Sequence, residues 1–201
     1  MKKGIMTLSK INQIICFTFL FVLINLDTDA QQLQMSDFVL FSGSAASGTT
    51  SPASPGAGIQ LSSSTSTSGG SIGSYKLVKT TGNVTMNSNI YCGGTVTLSN
   101  SNTVGGNITA ANSLSALGTI LSIGSNANVS GNIDVNGNVV VGGGTISGKV
   151  THPVSTTYSG PAPLGGNITG PPTLPVLPAL PPVTVFPAYP NIPDIKTTQS
   201  I

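Results

Sequence analysis

Residues 82–98 read GNVTMNSNIYCGGTVTL, a run in which apolar and small polar residues alternate. Val84 and Met86 point one way, Asn83 and Thr85 the other. Ile90 and Cys92 alternate with Asn89 and Tyr91, and Val96 and Leu98 with Thr95 and Thr97. Period-two alternation in such short pieces describes short strands with one buried face. The Gly, Asn and Ser residues between the pieces are turn formers that accept positive φ. No helical period runs through this region.

The pattern repeats along the chain. Gly-Asn-Val/Ile occurs at Gly82-Asn83-Val84, Gly106-Asn107-Ile108 and Gly131-Asn132-Ile133, with starts 24 and 25 residues apart. Gly-Ser/Thr-Val/Ile occurs at Gly70-Ser71-Ile72, Gly94-Thr95-Val96, Gly118-Thr119-Ile120 and Gly144-Thr145-Ile146, with starts 24, 24 and 26 apart. Ile90, Leu114 and Val139 keep a similar step. Two registers that agree on one period predict an all-β β-solenoid, a parallel β-helix with coils of about 24 residues and three short strands per coil. The expected coils are 58–81, 82–105, 106–130 and 131–151. Val84, Ile90, Val96, Ile108, Leu114, Ile120, Ile133, Val139 and Ile146 are expected to line the interior. Asn83, Asn107 and Asn132 are expected to form one surface ladder, and Ser71, Thr95, Thr119 and Thr145 a hydroxyl row.

The composition agrees with stacked coils. Only 6% of the 201 residues are charged. All 7 basic residues are Lys and all 5 acidic ones Asp, for a net charge of +2. In a solenoid a repeated charge would make a column of like charges, so neutral Asn, Ser and Thr suit it better. The absence of Arg and of clustered cations argues against a nucleic-acid partner.

The flanks read differently. Lys2, Lys3 and Lys10 precede the apolar run 14–24, the length of a signal-peptide core and too short for a comfortable membrane span. Thr28-Asp29-Ala30 is the expected cleavage site, so residues 1–30 are read as a signal peptide. No stable membrane span is expected after cleavage, and the mature chain would start at Gln31. Residues 31–57 are read as an N-terminal cap with a Ser/Gly/Pro-rich loop, Phe38-Val39-Leu40-Phe41 capping the solenoid edge. Residues 58–151 carry the repeats. Residues 152–201 are a Pro-rich extended segment, with 11 prolines between Pro161 and Pro193. Neither a helix nor a sheet interior accepts that density of proline.

Chemistry-bearing residues are few. The expected mature chain holds one His (His152), one Cys (Cys92) and three Asp (Asp37, Asp134, Asp194). Cys92 reads as a small buried residue without a local cation to activate it. His152 reads as an exposed turn residue beside Pro153. Paired carboxylates for glycoside chemistry need two neighbouring acids, and the three Asp lie far apart in sequence. No catalytic residue, cofactor or metal site is therefore expected, and the chain is read as a non-enzyme.

From Asp37 onward the chain resembles the N-terminal region of large exported, adhesin-like surface proteins of Bacteroidota-type bacteria. The resemblance covers about four-fifths of the chain. It is carried by "SDFVLFSGS", "GGSIGSYKLV", "GGTVTLSNSNTVGGNITAAN", "SGNIDVNGNVVVGGGTISGKVTHP" and, most specifically, "TTYSGPAPLGGNITGPPTLPVLPALPPVTVFP". It implies a secreted or cell-surface module with a structural or adhesive role and no active-site residues. Proteins of this kind continue into a sorting domain, so on the resemblance this chain reads as a truncated copy. A weaker likeness, in the Val/Ile-Gly-Asn rhythm, is to self-polymerising bactofilin-type scaffolds. The alternative to a structural or adhesive module is a ligand-binding module for polysaccharide or ice. The expected partners are glycans or other surface polymers, with self-association through the solenoid ends.

Overall fold

The computed structural model describes residues 32–43, 58–110, 118–174 and 176–179. The expected signal peptide, Leu114 and the chain beyond 179 lie outside the described residues. A short 3-10 turn at Met35–Asp37, closed by the Gln34 amide donating to the Asp37 carboxylate at 2.8 Å, leads into β1 (Phe38–Ser42). The strands then arrive in triples. These are β2 (Ile59–Ser62), β3 (Thr65–Thr67) and β4 (Ser71–Ser74); then β5 (Leu77–Thr81), β6 (Val84–Met86) and β7 (Ile90–Cys92). Next come β8 (Thr95–Leu98), β9 (Thr103–Val104) and β10 (Ile108–Ala110), followed by β11 (Thr119–Ile123), β12 (Ala127–Val129) and β13 (Ile133–Val135). The last are β14 (Asn138–Val141), β15 (Gly144–Ile146) and β16 (Val150–His152), then β17 (Tyr158–Ser159) and β18 (Asn167–Thr169).

Each triple is one coil whose strands go to three different sheets. Parallel pairing gives a seven-stranded sheet β1-β4-β7-β10-β13-β16-β18, a six-stranded sheet β2-β5-β8-β11-β14-β17 and a five-stranded sheet β3-β6-β9-β12-β15. The chain is an all-β solenoid of about six coils.

The coil length corrects the expected 24 residues. Ile72, Ile90 and Ile108 are direct neighbours on β4, β7 and β10, which makes a coil about 18 residues long, six per side. The reason for the discrepancy lies in the six-residue side. A motif recurring after 24 residues has moved four sides, one coil and one side further. Gly82-Asn83-Val84 therefore enters the five-stranded sheet, and Gly106-Asn107-Ile108 enters the seven-stranded one. The one long step, Ile108 to Ile133, spans 25 positions because residues 111–117 are inserted there.

The interior consists of columns of like residues. Ile72, Ile90, Ile108, Ile133 and Val150 form one, each fully buried. Val78, Val96, Leu121 and Val139 form a second, and Met86, Val104, Val129 and Ile146 a third. Side chains of one shape nest on copies of themselves at the ladder spacing of about 4.8 Å, so a narrow core reaches dense packing with little variety. Of the expected interior residues, Val84, Ile90, Val96, Ile108, Ile120, Ile133, Val139 and Ile146 are all buried. Ile120 is the extra residue of a bulge between Thr119 and Leu121, and it is Leu121 that pairs with Val96 and Val139.

Corners are built from Gly and Asn. Asn89 Oδ1 accepts the Asn107 amide and Asn107 Oδ1 accepts the Asn132 amide, both at 2.8 Å. Asn132 Oδ1 accepts the Lys149 amide at 3.1 Å. A Cβ at Gly106, Gly131 or Gly148 would overlap the Asn89, Asn107 or Asn132 oxygen respectively. The Gly-Asn pair is thus one device: the glycine leaves room for the asparagine oxygen of the preceding coil, and its own asparagine repeats the bond one coil on. At another corner Asn102, wholly buried, occupies an inward position beside Val84 and Ala127. Its Oδ1 accepts the Val84 amide at 3.2 Å and its Nδ2 donates to the Ser99 carbonyl, so the buried amide is satisfied.

Candidate functional site

The coil register decides which side chains form surface rows. On the five-stranded sheet Ser66, Thr85, Thr103, Asn128 and Thr145 are consecutive outward neighbours. All but the half-buried Thr103 are exposed. This row is an uncharged line of hydroxyls and one amide at strand spacing. On the six-stranded sheet the outward row is Gln60, Lys79, Thr97, Ser122, Val140 and Ser159. On the seven-stranded sheet the outward positions run Phe41, Gly73, Tyr91, Thr109, Asp134, Thr151 and Ile168, but Gly73, Thr109 and Thr151 are buried, so this face is not an open row. Each charge in these rows has neutral neighbours: Lys79 lies between Gln60 and Thr97, and Asp134 between Thr109 and Thr151.

The residues expected to form ladders are distributed differently. Asn107 and Asn132 do stack, but the third member is Asn89; Asn83 sits at a different corner, where its carbonyl accepts the Ser64 amide at 2.8 Å. Ser71, Thr95, Thr119 and Thr145 do not make one row. Ser71 is in the seven-stranded sheet, Thr95 and Thr119 in the six-stranded and Thr145 in the five-stranded. Only Thr145 belongs to the hydroxyl row that the fold actually forms. The missed members Ser66, Thr85 and Thr103 lie 19 and 18 positions apart, a signal available to a search at that period.

The titratable groups are held apart by the sheet itself. His152 is not in an exposed turn; it ends β16, only 2% exposed, two residues beyond Val150 on the inward face. The period-two alternation of Val150-Thr151-His152 carries it into the interior. Its Nδ1 lies 3.0 Å from Thr156 Oγ1 and 3.1 Å from the Pro153 carbonyl, while Nε2 is buried with no partner among the described residues. Asp134 on the adjacent β13 pairs with Thr151 and faces outward, so the backbone of the sheet separates it from His152. Cys92 also faces inward, between Ser74 and Ala110. Burial pushes its thiol up to about 11, against hydrogen bonding from the Gly94 and Val78 backbone. Burial likewise raises the Tyr91 and Tyr158 phenols.

Among the described residues no group of three His, Cys, Asp or Glu could hold a metal ion, and no helix is long and apolar enough to cross a membrane. What the described surface offers chemically is regular rows of hydroxyl, amide and backbone groups on a rigid frame. Comparison with protein-family models, curated proteins and solved structures returns no match.

Proposed function

We propose that the chain is an exported, non-enzymatic β-solenoid module acting as a structural or adhesive element at the cell surface. The observation that carries this reading is the row Ser66, Thr85, Thr103, Asn128 and Thr145. A line of weak hydrogen-bonding groups on a rigid face suits attachment through many small contacts, and several such modules in one assembly gain avidity that a single one lacks. The opposite orientations of Asp134 and His152 support a binding role over general acid–base chemistry, which needs groups within hydrogen-bond reach of one another. The basic n-region and apolar run of residues 1–30 support export.

The same row also favours a second reading, a ligand-binding module whose ligand is a polysaccharide. Ice is less well served, because the Thr97 position of the Thr-x-Thr arrangement at Thr95 and Thr97 is taken by Ser122 and then Val140 in the following coils.

The test is co-sedimentation of the chain with insoluble polysaccharides, with hydrolysis followed on polysaccharide and peptide panels. Weak binding that changes little with salt is expected, because few charges are involved. The triple variant Thr85→Val, Thr103→Val, Thr145→Val should bind less while melting near the wild-type temperature. Turnover that disappears in Asp134→Asn or His152→Ala would overturn the proposal.

A further inference from the structure

The Pro-rich segment does not simply leave the solenoid at its last coil. From β18 the chain returns to the level of the first coils. Val176 bridges to Gln32 in parallel, and the Leu33 amide donates to the Val176 carbonyl at 3.3 Å. The Tyr75 hydroxyl donates to the Pro178 carbonyl. Leu33 and Leu177 are buried, at 3% and 7% exposure, although neither belongs to the interior columns. Leu177 Cδ1 lies near Gly93, where an added Cβ would come within 3.4 Å of it. Beneath this crossing Phe38, Phe41, Tyr75 and Tyr91 pack edge to face, with centroids 4.9 to 5.9 Å apart. Gly73 admits the two Phe rings, since a Cβ there would overlap both.

The path fits its length. Thr169 to Pro178 is nine residue steps, about 28 Å in an extended polyproline-like form. Five strand spacings separate β18 from β4, about 24 Å in total. Only a nearly straight run along the axis covers that distance. Proline suits such a run, because it holds the chain extended and removes amides that would otherwise need partners.

We infer that this segment is a clasp that fastens Val176 to Gln32 and Leu33 and seats the buried Leu177 beside Gly93, so that the chain enters and leaves the solenoid at the same end. The coils then form a lateral projection from the polypeptide, with β15, β16 and β18 at its far tip. Tension between the two flanks separates Gln32 from Val176 before it reaches the coils. The clasp also crosses the first strands of the seven-stranded sheet, leaving the hydroxyl row on the five-stranded sheet outside its path. The inference stands independently of whether that row binds a glycan.

Amide hydrogen exchange on the full chain, with Leu177→Asp and with a chain ending at Gly170, tests this. Leu177→Asp removes the buried anchor without touching an interior column. Exchange at Leu33 and along β1 should quicken by about tenfold or more, on the scale set by burial of one leucine. Ile108 and Ile133 amides should exchange as in the wild type, and the shortened chain should fold with the same contrast. Equal Leu33 exchange in wild type and Leu177→Asp would overturn the clasp. So would uniform acceleration through all coils, or failure of the shortened chain to fold, since either would make the segment part of the core instead.

Discussion

Gly131→Ala separates chain entropy from packing, because the two push stability in opposite directions. Gly131 is not among the positive-φ glycines, so alanine can adopt its backbone conformation. On chain entropy alone the substitution should stabilise by about 0.4–1 kcal/mol. In the solenoid, however, the new Cβ would lie 2.5 Å from the Gly106 carbonyl oxygen and 2.6 Å from its carbon, and would overlap Asn107 Oδ1. Two of these atoms are backbone of the preceding coil and cannot turn aside. Relief requires opening the spacing between coils at the point where the Asn132 amide is bonded to Asn107. Overpacking of this kind costs about 1–3 kcal/mol, and a strained side-chain bond adds about 1 kcal/mol. Packing should therefore win, with a net destabilisation of about 1–3 kcal/mol. Gly170 supplies the control, since a Cβ there meets nothing within 4 Å and its φ is also unremarkable. Gly170→Ala should be neutral or slightly stabilising. The assay is the urea midpoint of each variant at unchanged m-value. A Gly131→Ala chain as stable as the wild type would refute the account of the Gly-Asn corner.

Four further outcomes depend on the interior. Asn102→Ala leaves the Val84 amide without its acceptor and should cost about 2 kcal/mol or more in urea unfolding, as expected for an orphaned buried donor plus a cavity. Leu121→Asp, which puts a charge between Val96 and Val139, should abolish the β-sheet circular dichroism signal. Cys92 should resist thiol reagents at neutral pH in the folded chain and react on unfolding. Because folding holds the proton on Cys92, the native state binds more protons than the unfolded one between about pH 9 and 11. Stability should fall as pH rises through that window, relative to a Cys92→Ala variant.

The inward residues were legible from the sequence because alternation is a local property: Val84, Ile90 and Val96 each declare their face within three residues. The period was harder to read. With six residues per side, Gly-Asn-Ile/Val recurs at any multiple of six, and spacing alone does not say how many sides close a coil. The insertion at 111–117 stretched the true Asn107 to Asn132 step to 25, close enough to 24 to support the wrong register. The shorter step was visible in Ile72, Ile90 and Ile108, and in Asn89 and Asn107, before that insertion. The hydroxyl row of Ser66, Thr85, Thr103 and Thr145 was lost with the register, because a surface row exists only once coils are aligned. The clasp carried still less local signal. Leu33 and Leu177 lie 144 positions apart, and no periodicity links them.

Paired cysteines distinguish the 18-residue coil from a 24-residue one. In a Cys16→Ser background, Thr85→Cys with Thr103→Cys places two outward residues on hydrogen-bonded neighbours β6 and β9. Adjacent strands lie about 4.8 Å apart, within reach of a disulfide. Asn83→Cys with Asn107→Cys is the pair that a 24-residue coil would stack; here the two residues occupy different corners. Under mild oxidation the first pair should close to a disulfide within the chain and the second should stay reduced. Closure of the 83–107 pair with the 85–103 pair left open would contradict the fold described above.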